Sequence, residues 1–118
     1  MAYTRLNPTH VQSVVDTVTL KRPDTQVTLK GINVNGIHVL YASPTCASGS
    51  AGGESYLEFQ TGGRPSMVTF GVWSLSDGSK SGVISVEGNN NAWLKGASSS
   101  ILSGKKVYIQ IVMIPMPT

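Results

Sequence analysis

Charge is scarce in this chain of 118 residues, because nine Lys and Arg and six Asp and Glu make up only 13% of it. A disordered acidic or basic tail would carry far more charge and fewer β-branched residues. A coiled coil or a long helix would be rich in Ala, Glu, Lys, Leu and Arg. Both classes are therefore excluded, and the length suits one domain rather than two.

Cysteine occurs once, at Cys46, so no internal disulfide can form. A lone thiol suits a protein that folds in a reducing cytoplasm. A catalytic cysteine would need a histidine within hydrogen-bonding reach, and the sequence alone brings neither His10 nor His38 close to it. We therefore interpret Cys46 as an ordinary small residue in a loop.

Targeting, catalytic and metal-binding patterns are also missing. The first eight residues lack an apolar core, so we expect no signal peptide, and the apolar run 111–117 is too short for membrane insertion. The two histidines and the cysteine lack metal-ligand spacing, and the Gly-rich stretch 49–53 lacks the Lys of a phosphate loop. Glu54 and Glu58 are only a weak carboxylate pair. We expect no enzyme activity, no catalytic residue, no metal and no cofactor.

The basic residues are spread along the whole chain. Only Lys21-Arg22 and Lys105-Lys106 are adjacent, and neither pair has aromatic neighbours. A nucleic-acid binder usually gathers Lys and Arg on one face. We therefore expect no nucleic-acid partner, and we assign the basic residues to the solvation of strand ends.

The residues that are abundant predict strands and turns. Gly (13), Ser (15), Thr (10) and Asn (6) make up more than a third of the chain. Asn35-Gly36 is a strong hairpin signal, because both residues accept a positive φ. Alternating apolar residues between such turns predict strands at 13–20, 55–61, 66–75, 81–87, 92–95 and 106–114. Between residues 26 and 41 they predict either two strands, 26–30 and 32–41, or one hairpin with the arms 26–34 and 37–41.

This pattern predicts one all-β domain over residues 1–118. The architecture would be an antiparallel β-sandwich, or a jelly-roll-like small barrel, of seven or eight strands. Residues 43–54 contain no large apolar side chain, so we expect a flexible Gly/Ser-rich loop there.

Two of these strands, 66–75 and 106–114, are apolar on both faces. Such a strand is either central in the fold or covered by another subunit. With so little charge on the chain, we expect a homo-oligomer. The predicted interface residues are Met67, Trp73, Tyr108, Val112 and Ile114, although a core position is the stronger interpretation of Trp73.

One segment has the composition of a ligand site. Trp93 follows the turn residues Asn89, Asn90 and Asn91, so its ring is expected at a loop tip or at a subunit interface. Aromatic rings stack on sugars, and amides bond to sugar hydroxyls. We predict a glycan site formed by these four residues and Tyr56.

The chain as a whole resembles small structural proteins of tailed bacteriophages, such as tail-fibre tips, head fibres and decoration proteins. The resemblance lies in the Met1-Ala2 start, the low charge, the abundance of Ser, Gly, Thr and Asn, and the strands Val68–Trp73 and Val107–Val112. It implies a non-enzymatic β-sandwich protein of the virion, made in the host cytoplasm. It also implies a homo-oligomer, with a trimer favoured, that contacts other virion proteins or cell-surface glycans.

Three other functions are compatible with the sequence. The main alternative is a stand-alone carbohydrate-binding module or lectin, which Trp93 and its neighbouring Asn residues would support. A small hydrolase would depend on Cys46 as its nucleophile. A bacterial immunity or toxin-related protein, or a designed assembly subunit, is also compatible with the sequence.

Overall fold

A computed structural model describes residues 11–49, 52–58, 67–87 and 91–115. These residues form eight strands and one helical turn, which confirms the all-β prediction and the expected number of strands. No helix within these ranges is long and apolar enough to cross a membrane. The elements are β1 (Val11–Lys21), β2 (Thr25–Val34), β3 (Ile37–Ala42), β4 (Glu54–Glu58), β5 (Met67–Leu75), β6 (Ser81–Glu87), β7 (Asn91–Ser98), α1 (Ser99–Leu102) and β8 (Val107–Pro115).

All neighbouring strands are antiparallel, and they close into a barrel in the order β1-β2-β3-β8-β5-β6-β7-β4. The order contains two successive Greek keys, because β4 returns beside β1 and β8 returns beside β5. Each returning strand also pairs with the other key, β4 with β7 and β8 with β3. The two halves are therefore joined through β4 and β8. The sequence shows no internal repeat that corresponds to the two Greek keys.

The predicted hairpin between β2 and β3 is confirmed. Asn35 and Gly36 have φ values of 52° and 91°, as a two-residue turn of this hand requires. The Gly36 N–H also donates to Asn33 Oδ1 at 2.8 Å. This turn fixes the register in which Ile32 pairs with Val39.

The interior of the barrel contains one hydrophobic core, to which every strand contributes. Trp73 is its largest member and is only 2% exposed. Its indole N–H donates to the backbone oxygen of Lys95 on β7 at 2.9 Å. The ring reaches β7 across Gly82 of β6, where an added Cβ would lie 2.7 Å from the indole nitrogen. The prediction of Trp73 as an interface residue is therefore corrected: strand alternation turns this side chain inward.

Large apolar side chains point outward from the neighbouring strands β3, β8 and β5, and Ile32 of β2 and Val83 of β6 extend this surface on either side. On β8 the predicted interface residues Tyr108, Val112 and Ile114 do point outward, whereas the Met67 side chain lies outside the described part of the structure. On β5 the outward residues alternate along the strand with the inward Trp73 and Leu75. Phe70 is one of these outward residues and is 50% exposed. We call this surface the outer apolar face; it consists of Ile32, Ile37, Val39, Tyr41, Val68, Phe70, Val72, Val83, Tyr108, Val112 and Ile114.

Candidate ligand-binding site

Tyr56 and Trp93 lie side by side on the outer surface of β4 and β7. The two residues are directly paired across the strands, and their ring centroids are 4.5 Å apart with the planes tilted by 38°. Their neighbours along the strands, Ser55, Leu57, Ala92 and Leu94, are buried. Alternation therefore sends both rings outward, where each remains half-buried. The two aromatic residues that the sequence predicted for one site do come together.

Carboxylate and amide groups flank this aromatic pair along the strands. Asn91 pairs with Glu58 beyond one edge of the rings. At the other edge, Glu54 Oε1 lies 3.6 Å from the ammonium nitrogen of Lys95, and Glu54 Oε2 accepts a hydrogen bond from the Gly96 N–H at 3.0 Å. Glu54 and Glu58 thus lie on either side of Tyr56. The Glu54 carboxylate already binds β7 where the register between β4 and β7 shifts.

Arg22 completes the site from the β1–β2 turn. Its guanidinium carbon lies 5.5 Å from the centroid of the Tyr56 ring, within the range of a cation–π contact. It also donates to the Glu54 backbone oxygen at 3.3 Å, while the Ser55 hydroxyl donates to the Arg22 backbone oxygen. Tyr56 therefore contacts both Arg22 and Trp93 and lies between them in the cluster.

The predicted amide residues are only partly accounted for. Asn91 is the first residue of β7 and lies on the same strand face as Trp93. Asn89 and Asn90 lie outside the described residues. Sequence reasoning missed Arg22, Glu54 and Lys95 as neighbours of the rings. Glu54 lies two residues from Tyr56 and Lys95 two residues from Trp93, so strand alternation could have placed them on the same face as the rings. Arg22 comes from a distant turn and carries no such signal.

The chemistry of this cluster suits a neutral ligand with many hydroxyl groups. The aromatic surface can stack on a ligand ring. The carboxylate of Glu58 can accept hydrogen bonds, and the amide of Asn91 can both donate and accept them. The site is a surface on the outside of a barrel rather than a cleft, so few ligand atoms can be enclosed. Among the described residues, no three His, Cys, Asp or Glu side chains gather where a metal ion could bind.

Cys46 lies inside the fold rather than on an open loop. Its side chain is 3% exposed, its backbone N–H donates to the Lys105 oxygen at 2.8 Å, and the neighbouring Thr45 forms a β-bridge with Lys106. The Ala47 N–H donates to the Thr25 hydroxyl at 2.9 Å. These bonds fasten the first part of the predicted flexible loop to the barrel, and they place the thiol in the core.

Burial raises the pKa of the Cys46 thiol from 9.0 to about 11. The thiol is therefore protonated at neutral pH, and the thiolate is the form that reacts. We expect Cys46 in the folded protein to react with a disulfide reagent at pH 8 at least about tenfold more slowly than in the unfolded chain. A fast reaction in the folded state would contradict the burial.

The same shift predicts a dependence of stability on pH. Between pH 9 and 11 the thiol ionises in the unfolded chain but remains neutral in the folded one, so the free energy of unfolding should fall with rising pH. Denaturant titrations of the wild type and of Cys46→Ala measure this effect, because the variant lacks the titrating group. Parallel curves for the two proteins over this range would refute it.

Comparison of the chain with protein-family models, with curated proteins and with solved structures found no match.

Proposed function

We propose that this chain is a non-enzymatic structural or receptor-binding protein of a bacteriophage virion that assembles as a homo-oligomer, with a trimer favoured. The proposal rests on the resemblance in sequence style and on one structural observation. Large apolar side chains cover the outside of several neighbouring strands of a chain with little charge. Monomeric proteins rarely expose contiguous apolar patches of more than a few hundred Å².

The oligomeric state tests the assembly part of this proposal. Light scattering coupled to size exclusion should give a multiple of the 12.5 kDa chain mass, and three times that mass for a trimer. A monomer at micromolar concentration would exclude the homo-oligomer. Electron microscopy of the particle that contains the protein tests the location in a virion.

For the architecture, we infer that the closed ring is flattened in the manner of a β-sandwich or a jelly-roll-like barrel. Two Greek keys in eight antiparallel strands support this proposal, as do overall extents of 54 × 34 × 20 Å.

We also propose that Trp93 and Tyr56 bind cell-surface glycans, with Asn91 and Glu58 as polar partners. The observation that supports this proposal is the half-exposed aromatic pair with an amide and a carboxylate beside it. A shallow site of this kind binds one sugar weakly. Several copies on one oligomer would bind a glycan-coated surface more tightly through avidity.

Substitution of Trp93 tests this site. In a glycan array followed by titration with the best glycan, Trp93→Ala should weaken binding at least about tenfold, which corresponds to about 1.4 kcal/mol. Trp93→Phe keeps a ring for stacking and serves as the matched control, so it should lose less. Unchanged binding by Trp93→Ala, or no bound glycan on the array, would refute the glycan site.

The second candidate is a stand-alone carbohydrate-binding module or lectin, which the same aromatic pair supports. The two functions differ in their use of the outer apolar face. A lectin that acts alone would bind glycan as a monomer, whereas the virion protein would bind it as an oligomer.

A further inference from the structure

We propose that the outer apolar face is the surface on which a second copy of this chain packs, with β8 at its centre. The proposal deepens the homo-oligomer proposed above, because it names the surface and its occupant. It depends on the register of the strands, on the neutral centre of the face and on its area.

The register makes the face continuous. Val39 of β3 pairs with Val112 of β8, and Val112 pairs with Phe70 of β5. Directly paired residues on one face of an antiparallel sheet have Cβ atoms about 5 Å apart, so the three side chains form an unbroken apolar row. Parallel rows lie on both sides, since Ile114 pairs with Val68 and Val72 pairs with Val83.

The distribution of charge permits a partner of the same kind. The outward positions described on β3, β8 and β5 carry no charged side chain, and Gln110 and Ser74 are polar but neutral. Two cations lie at the border of the face: Lys30 of β2 pairs with Tyr41, and the Lys106 ammonium nitrogen lies 5.7 Å from the centroid of the Tyr108 ring. Because the centre of the face is neutral, two copies can bury it against each other without bringing like charges together there.

The area of the face is sufficient for a stable contact. Its exposed side chains together present on the order of 900 Å² of accessible surface, and each partner in an interface of standard size contributes roughly 800 Å². The side chains are mainly β-branched and aromatic, as on the inner surfaces of packed sheets.

A charge placed at the centre of the face tests the proposal. Phe70→Glu should shift the mass measured by light scattering from oligomer to monomer, because the carboxylate would have to be buried without a partner. Thr28→Glu is the matched control, since Thr28 is an exposed outward residue of β2 outside the face. Circular dichroism should show that both variants remain folded, because both side chains point away from the core.

A second measurement needs no variant. Hydroxyl-radical labelling of the wild type should decrease at Tyr41, Phe70 and Tyr108 as the protein concentration rises through the association range, while labelling of Tyr56 should change little. An oligomer that survives Phe70→Glu, with labelling of the face unchanged, would overturn the interface and leave the homo-oligomer intact. A wild type that is monomeric at every concentration would overturn both, and would assign the face to a different polypeptide.

Discussion

Trp73→Ala is expected to lower the free energy of unfolding by about 4 kcal/mol, as measured by urea or guanidinium titration. The substitution would leave a large cavity at the centre of the core, where the ring is 2% exposed. It would also remove the hydrogen bond to the backbone oxygen of Lys95. Gly82 of β6 lies against the ring and has no side chain that could fill the space.

Two further substitutions separate these contributions. Trp73→Phe keeps an aromatic ring in the core but removes the indole donor, so it should cost less than Trp73→Ala. Trp93→Ala removes the same residue type from a half-buried position on the outer surface, and it should cost less than half as much. If Trp73→Ala and Trp93→Ala lowered the free energy of unfolding equally, burial of the tryptophan side chain would not determine the size of the loss.

Gly71→Ala is expected to destabilise the barrel by about 3 kcal/mol or to prevent folding altogether. A Cβ at this position would lie 2.1 Å from the backbone oxygen of Gln110 and 3.1 Å from the Ile111 Cα. Both contacts are with the backbone of β8, which cannot move aside as a flexible side chain would. The strands β5 and β8 would have to separate at the centre of their longest pairing.

Gly78→Ala is the matched control for Gly71→Ala. Gly78 has φ +75°, and nothing lies within 4 Å of an added Cβ. Gly78→Ala should therefore lower the free energy of unfolding by only about 1 kcal/mol, because a residue with a side chain disfavours this positive φ. Thermal and denaturant unfolding of the two variants compares a steric clash with a backbone preference. A Gly71→Ala protein as stable as Gly78→Ala would show that β5 and β8 separate easily.

Local features of the fold could be predicted from the sequence, because they depend on neighbouring residues. Strand alternation and the Asn35-Gly36 turn located most strands to within a few residues. The helical turn α1 was missed, since Ser99–Leu102 contains no helix-forming pattern. The closure of the barrel through β4 and β8 was also beyond prediction, because these pairings join segments far apart in the chain.

The orientation of β5 shows why a pattern that is apolar on both faces is ambiguous. Phe70 and Val72 are as apolar as Trp73 and Leu75, so alternation alone could not determine which set lies inside. The position of Gly71 is a clue to which set of β5 residues faces the core. A residue without a side chain on the inward set permits the close approach of β8.

The candidate site was predicted in its residue types rather than in its geometry. Trp93 and Tyr56 were identified from their places beside a turn and on a short strand, but their contact depends on the pairing of β4 with β7. Arg22 reaches Tyr56 through the pairing of β1 with β4, which could not be predicted from the sequence. Glu54 lies two residues from Tyr56 on β4, so its place beside the ring follows from strand alternation. Cys46 was assigned to a loop, and its burial follows from bonds to Lys105 and Thr45–Lys106 that only the folded chain makes.

The position of β8 has a consequence for synthesis on the ribosome. β8 is the last of the described strands in chain order, yet it lies between β3 and β5 at the middle of the outer apolar face. Until β8 leaves the ribosome, β3 and β5 each lack one of their antiparallel neighbours, so the barrel stays open. A chain that stops before β8 would therefore expose two unpaired strand edges, to which strands of other chains can add.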